Sequence, residues 1–316
     1  VPATDPVPAR GPGPGAPVPS PGPTPGDDVI HDIGFRHYDG ERLGRGWVAR
    51  SLLVETVRGI FGLGRPARSK AMPWSLIGIL LVPPLIMALS ILLTGAEELP
   101  TSYTQYPNAL SIVVSLFVAG AAPYCVSRDL RHGVMPLYLS RPMMRTDYVL
   151  AKFAGLALSV FGVLALAQTL LLVGALLAKL SVGPQVVGWL GGLLVSAVLA
   201  VLLSALTLVV AAFTPRRGLG VAAIITILVV LSGVAEMLTA VARDRGLTTA
   251  AQYLPALDPF NLVDGIAVRL LGADSARAHD VPPGILGGLT FVLVTAAVVA
   301  GCLGLLIRRY RKVGVV

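Results

Sequence analysis

The chain has 316 residues, 54% of them hydrophobic and only 13% charged, with a mean hydropathy of +0.77. Soluble domains carry about 25% charged residues, so this deficit, concentrated in long uncharged runs, excludes an ordinary soluble protein and marks an integral membrane one. A formal net charge of +8 would suit a nucleic-acid binder, but the placement of the basic residues along the chain argues against one.

Residues 1–28 form a Pro/Gly tract with ten prolines in the first 25 positions. It lacks the apolar residues needed to offset ordering entropy and reads as a disordered cytoplasmic tail. Residues 29–70 form a second cytoplasmic segment. His31, Asp32, His37 and Asp39 lie in it, but Gly34 and Gly40 keep them off one helical face, so no metal site is expected. Along Trp47–Leu63 and the glycine after it, Leu53, Val57, Ile60, Phe61 and Gly64 recur at helical spacing, opposite Arg50, Ser51, Glu55, Arg58 and Gly62. The segment is too short and too charged to cross a bilayer. It is predicted to be an interfacial helix with its apolar face in the headgroup boundary and its arginines toward anionic lipid. A helix packed on a protein partner has the same periodicity.

Residues 71–312 hold six predicted spans, at about 74–94, 109–127, 149–178, 186–213, 219–241 and 284–307, each near the 20 or so apolar residues a crossing needs. Pro83-Pro84 and Pro123 should kink the first two, since each proline removes a backbone donor. The third is long and is expected to project from the bilayer at its Lys152 end. Thr146 is predicted to cap it, with Asp147 favourable to its N-terminal dipole. With the N-terminus inside, twenty basic residues fall on the cytoplasmic side and five outside. The charge is therefore positive-inside bias rather than a nucleic-acid patch, and both termini are placed in the cytoplasm. The first apolar run begins past residue 70, so no cleavable signal peptide is read. Residues 242–283 form an extracytoplasmic, re-entrant region. Its Leu262, Val263, Ile266, Ala267, Leu270 and Leu271 recur at helical spacing between Asp258-Pro259 and Gly272.

Catalytic motifs are missing. There is no G-x-x-x-x-G-K-S/T phosphate loop, no H-E-x-x-H and no G-x-S-x-G. Cys125 and Cys302 sit in apolar runs without CxxC spacing, so neither a disulfide framework nor a metal site follows. No catalytic residue, metal or resident cofactor is assigned. Glu236 is the one acid clearly inside a predicted span, and such residues often face a cavity. Lying near the outer end, it could equally reach water. Glu236 and Gln168 are the candidates for a translocation path. With so few polar groups in the spans, an ion-coupled transporter is disfavoured and a lipidic or amphipathic substrate is favoured. Gly188, Gly192, Ser196, Ala200 and Ser204 form a ridge of small residues at four-residue spacing, suited to close helix packing within the chain or across a dimer.

The focal segment is the loop at 128–148 between the second and third spans. Leu130, Val134, Leu137 and Tyr138 can share one helical face, with Arg128, Asp129, Arg131 and His132 before or opposite it. It reads either as a plain basic connector or as a docking helix for a cytoplasmic partner.

Six spans, an interfacial helix before the first, a loop reading SRDLRHGVMPLYLSRPMMRTDYVLAK, and Asp258-Pro259-Phe260-Asn261 before the last span together resemble an ABC-2 type permease, the membrane subunit of bacterial ABC exporters. The family's pattern is matched by Asp129 (where glutamate is commoner), Gly133, Leu139, Ser140, Pro142, Arg145, Tyr148, Leu150 and Lys152, and the likeness covers about residues 47–312. The segment His31–Arg45 is similar to actinobacterial members. The resemblance implies an all-α transmembrane domain of the type V exporter kind in the bacterial plasma membrane. It also implies a second permease, identical or a sister chain, and two separate ATPase subunits that bind ATP and magnesium. Asp129, Gly133, Leu137, Tyr138, Ser140, Arg141, Pro142 and Arg145 would then receive force from the ATPase. Membrane lipid is an expected partner and nucleic acid is not. The alternative is a non-transporting membrane scaffold or signalling subunit that recruits a cytoplasmic protein.

Overall fold

In the computed structural model, residues 40, 43–64, 66–95, 99–131, 133, 137–138, 140, 142–214, 216–273 and 281–312 are described, and all regular structure among them is helical. The Pro/Gly tail, His31, Asp32, His37, Asp39, His132, Val134, Leu139 and Arg141 lie outside the described residues. The helices are α1 (Arg45–Ile60), α2 (Ala67–Thr94), α3 (Tyr106–Ala109), α4 (Ser111–Arg131), α5 (Arg145–Leu177), α6 (Val182–Phe213), α7 (Arg217–Asp244), α8 (Thr248–Tyr253), α9 (Pro259–Leu271) and α10 (Gly284–Lys312). A single 3-10 turn, Leu254–Leu257, joins α8 to α9.

Five of these, α2, α5, α6, α7 and α10, are long and apolar enough to cross a membrane, and the Ser111–Ser127 part of α4 is a shorter apolar helix. The architecture is thus an all-α membrane bundle. Helices α5 and α6 form its centre and are the most buried, while α2, α7 and α10 turn apolar faces outward. At 33 residues, α5 is about 50 Å long. Its N-terminal turns do not stand free. They are wrapped by α1, α4 and α10, and Lys152 itself is only 8% exposed.

Small residues set the close approaches. A Cβ on Gly174 of α5 would lie 2.3 Å from the Ala88 Cβ of α2, and one on Gly155 would lie 2.8 Å from the Thr56 Cγ2 of α1. Leu52, Thr56 and Ile60 are therefore the buried stripe of α1, and they face the protein's own α5. Of the residues expected to face lipid, Leu53 and Phe61 pack partly buried against the same core. The 3.6-residue period marked an apolar side, and α5 and α4 pack against it.

The prolines have local consequences. Pro84 inside α2 has no N–H to give the Leu80 carbonyl four residues earlier. The Tyr106 hydroxyl, from the loop at the far end of the bundle, donates to that carbonyl instead. Helix α2 then closes at Gly95, whose φ of 65° is a left-handed cap open to glycine. The ridge on α6 holds this same loop. The Tyr103 ring lies on Gly188 and its backbone on Gly192. Burial pushes the Tyr103 phenol up to about 12, so it stays a neutral donor to the Gln185 Oε1 at 2.9 Å. Farther along the ridge Ser196, Ala200 and Ser204 are fully buried.

Candidate functional site

One end of the bundle collects α1, the loop between α4 and α5, the start of α7 and the end of α10, and with them most of the described arginines. At this basic end the loop is fastened by a compact charged and aromatic cluster. The Lys152 Nζ lies 3.0 Å from the Asp129 Oδ2, with both side chains largely buried. The Tyr148 hydroxyl donates to the same carboxylate oxygen at 2.7 Å. Tyr148, fully buried, is flanked by the Tyr138 ring at 5.5 Å and the Tyr310 ring at 5.3 Å, and the Lys152 ammonium stands 5.6 Å from the Tyr148 ring centroid. Rings at these separations and tilts fall in the favourable aromatic range. Burial first, and then the nearby Asp129 carboxylate, hold the Tyr138 phenol above its ordinary pKa.

Two further links fix the start of α5. Arg145 donates from Nη1 to the Arg311 carbonyl at 2.7 Å, tying α5 to the last turn of α10. Arg45 pairs both nitrogens of its fork with Asp147, Nε to Oδ2 at 2.5 Å and Nη2 to Oδ1 at 2.6 Å, tying α5 to the start of α1. The N-cap of α5 is Met144, and Asp147, three residues on, accepts the Met144 N–H at 2.9 Å. Thr146, expected to cap this helix, therefore lies inside its first turn, while Asp147 does the capping as the acidic half of a capping box.

The residues expected to receive a partner divide into two groups. Asp129, Tyr138 and Arg145 turn inward and anchor the loop. Leu137 is 71% exposed, and Ser140, Pro142 and Gly133 are exposed too. The Ser140 hydroxyl donates back to the Leu137 carbonyl at 2.8 Å, which folds the tip on itself. Gly133 adopts φ of 61°, a left-handed turn that ends the run of α4. Leu137 and Tyr138 lie in one short turn, Leu137 exposed and Tyr138 half-buried against Tyr148. Asp129, expected before or opposite their shared helical face, points into the cluster.

At the far end, Glu236 lines a hollow of about 350 Å³ between α4, α7 and the N-terminus of α9. Its walls are mostly apolar, including Ile112, Leu116, Leu228 and Phe260, with Ser111, Ser115, Ser232 and Asp258 as polar points. Asp258 caps α9 by accepting the Phe260 N–H. Helix α9 is buried for most of its length against α6 and α10. Gly265 admits the Phe291 ring, where a Cβ would meet ring carbons at 2.6 Å. Gln168 is not among that hollow's lining residues. It is wholly buried in the α5–α6 seam, where its Nε2 donates to the Ser196 Oγ at 2.8 Å and to the Tyr103 carbonyl at 3.2 Å.

Sequence reasoning had matched Tyr148 and Lys152 to a pattern without giving them a partner, and it missed Arg45 and Tyr310. The available signal was opposite charge at the two ends of one loop, Asp129 on α4 and Lys152 on α5. Among the described residues no group of histidine, cysteine and carboxylate side chains could hold a metal ion.

A comparison with curated proteins finds no match. A family model described as ABC-2 family transporter protein matches residues 98–314, well over half of the chain, from the loop before α3 through α10. Permeases of this kind work with ABC ATPase partners. The helical membrane bundle and this match agree: the chain belongs to the ABC-2 family of transporter proteins and is a multi-pass membrane permease of the ABC-transporter type.

Proposed function

We propose that the chain is the permease subunit of an ATP-driven exporter, driven through its 128–148 loop by a separate ATPase. The observation that carries this reading is the division within the loop. Its base is fastened to neighbouring helices by Asp129, Tyr148, Lys152 and Arg145, while its tip presents Leu137, Ser140 and Pro142 outward. An exposed leucine on a rigid mount suits a groove in a second protein, since a soft connector would yield instead of passing a displacement on. The sequence has no phosphate-binding loop of its own, which agrees with hydrolysis in another subunit. The basic end is then cytoplasmic, as the positive-inside bias requires. ATP and magnesium belong to the partner, two copies of which would serve a pair of permeases.

The hollow beside Glu236 belongs to the path in this reading. An apolar wall with carboxylates and hydroxyls at one side suits a cargo that is amphipathic, with a cationic or hydrogen-bond-donating head. Gln168, locked between α5 and α6, acts in packing.

The test is ATP hydrolysis by the complex of this chain with the ABC ATPase that co-purifies with it. Leu137→Glu, at an exposed position, leaves the fold intact and should remove most of the permease-dependent, vanadate-sensitive rate. Full hydrolysis and full retention of the ATPase by this variant would sink the assignment of the loop.

A further inference from the structure

Two adjoining hollows open beside α1 at the basic end. The larger, about 590 Å³, is walled by Trp47, Arg50, Glu55 and Arg58 of α1 and by Tyr124 of α4. The smaller, about 140 Å³, continues between α2, α4 and α7. Met72, Leu76 and Phe117 give it apolar walls, and Tyr124 and Arg217 add polar surface at its edge. Gly59 and Tyr124 line both. A Cβ on Gly59 would fall 2.6 Å from the Tyr124 hydroxyl oxygen, so the missing side chain is what lets α4 approach α1 and join the two spaces.

The charge of this double hollow is one-sided. Arg50, Arg58 and Arg217 are exposed, against the single carboxylate of Glu55. Among the described residues none of these three guanidinium groups makes an ion pair or a hydrogen bond. Two tryptophans mark the level in the membrane. Trp47 is 55% exposed in the larger hollow. Trp74 is 51% exposed, with its indole N–H donating to the Phe61 carbonyl at 3.1 Å. Tryptophans with a wet edge and an apolar body collect at the headgroup level.

We propose that this double hollow binds an anionic glycerophospholipid. The guanidinium groups hold its phosphodiester, for which their planar forks are well suited. The start of one acyl chain enters the slot between Met72 and Phe117, and the rest runs into the bilayer. A free phosphate compound would satisfy the arginines but leave the apolar slot empty, so the geometry selects the lipid. Because Arg50 and Arg58 belong to α1 and Arg217 to α7, the bound lipid staples α1 to the transmembrane helices. This inference requires only a basic end at the headgroup level, and it stands whether or not the loop couples to an ATPase.

The experiment uses the full chain with Trp74→Phe and Trp189→Phe, so that Trp47 is its one tryptophan. The protein is placed in phosphatidylcholine nanodiscs that contain either acyl-brominated phosphatidylglycerol or acyl-brominated phosphatidylcholine. Brominated phosphatidylglycerol should quench Trp47 at a clearly lower mole fraction. Arg50→Gln and Arg217→Gln should each raise that fraction about fivefold, the weight of one arginine near an anionic surface. The charge-matched pair Arg216→Gln and Arg308→Gln, at the same end but outside the hollow, should leave it unchanged. Equal quenching by the two lipids would overturn the proposal, as would a control pair as damaging as the site variants. Relief of quenching by inorganic phosphate would overturn it too, since the site would then take free anions.

Discussion

Neutralising Asp129 gives the sharpest check on how the loop is mounted. Asp129→Asn preserves shape and can still accept from the Tyr148 hydroxyl, but it strands the Lys152 ammonium, whose side chain is 10% exposed, 3.0 Å from a neutral amide. Breaking a buried ion pair from one side costs about 3–5 kcal/mol. The residual exposure of both side chains lets water screen part of this, which leaves about 2–4 kcal/mol. For a chain of this size that is a fall in Tm of roughly 3–6 °C. Lys152→Gln strands the carboxylate and should cost about as much. Combining Asp129→Asn with Lys152→Gln leaves no buried charge, so the double variant should recover about 2 kcal/mol relative to the sum of the singles. The measurements are thermal unfolding in nanodiscs by intrinsic fluorescence, and the rate of tryptic cleavage after Arg131. Cleavage should rise in both single variants and fall back in the double. Additivity of the two substitutions within about 0.5 kcal/mol would refute the claim that this pair fastens the loop.

Two further outcomes follow from close contacts at the far end. Tyr106→Phe leaves the Leu80 carbonyl without the hydroxyl that replaces the N–H lost at Pro84. It should destabilise by about 1–3 kcal/mol, and Pro84→Ala in the same background should recover most of this by restoring a helical donor, as read by thermal unfolding. Gly192→Ala places a Cβ 2.8 Å from the Tyr103 Cβ and 3.0 Å from its carbonyl oxygen. It should cost about 1–3 kcal/mol and expose a cysteine placed at Ser102 to labelling, whereas Gly191→Ala, with 3.7 Å to spare at Thr104, should do neither.

Five spans were legible because each is a long run with few charges, and run length is a property of the chain alone; the Ser111–Ser127 part of α4 is shorter. The ends of helices were less so. Thr146 has the chemistry of a cap, yet Met144 takes the N-cap because Asp147, three residues on, accepts its N–H and is held there by Arg45 from a segment about a hundred residues away. Periodicity has a similar limit in α1. It reports that one side is apolar and is silent on what covers that side. Thr56 is buried only because Gly155 of α5 leaves room for it. Glu236 could be read as a wall of a cavity or as a solvated end, and the hollow it lines exists only where α9 folds back to bring Asp258 and Phe260 beside it.

The loop shows why a motif can be recognised before it is understood. Asp129, Ser140, Pro142, Arg145, Tyr148 and Lys152 were visible as a pattern, but the pattern mixes residues fastened at the base of the loop with exposed residues at its tip. An arm that passes on a push needs a base stiffer than its tip contact, and the two requirements draw on different chemistry. The base is met by buried charge, a shared carboxylate oxygen and three tilted rings, all of which lose energy when the arm shifts relative to α5. The tip is met by an exposed leucine beside a self-closed turn, which costs little to leave in water and gains on burial. Substitutions at the base should therefore register first as instability and only through it in any coupled reaction. Substitutions at Leu137 should leave unfolding unchanged and act on the partner alone. That separation, measured on the same protein, distinguishes a mounted arm from a connector that is merely basic.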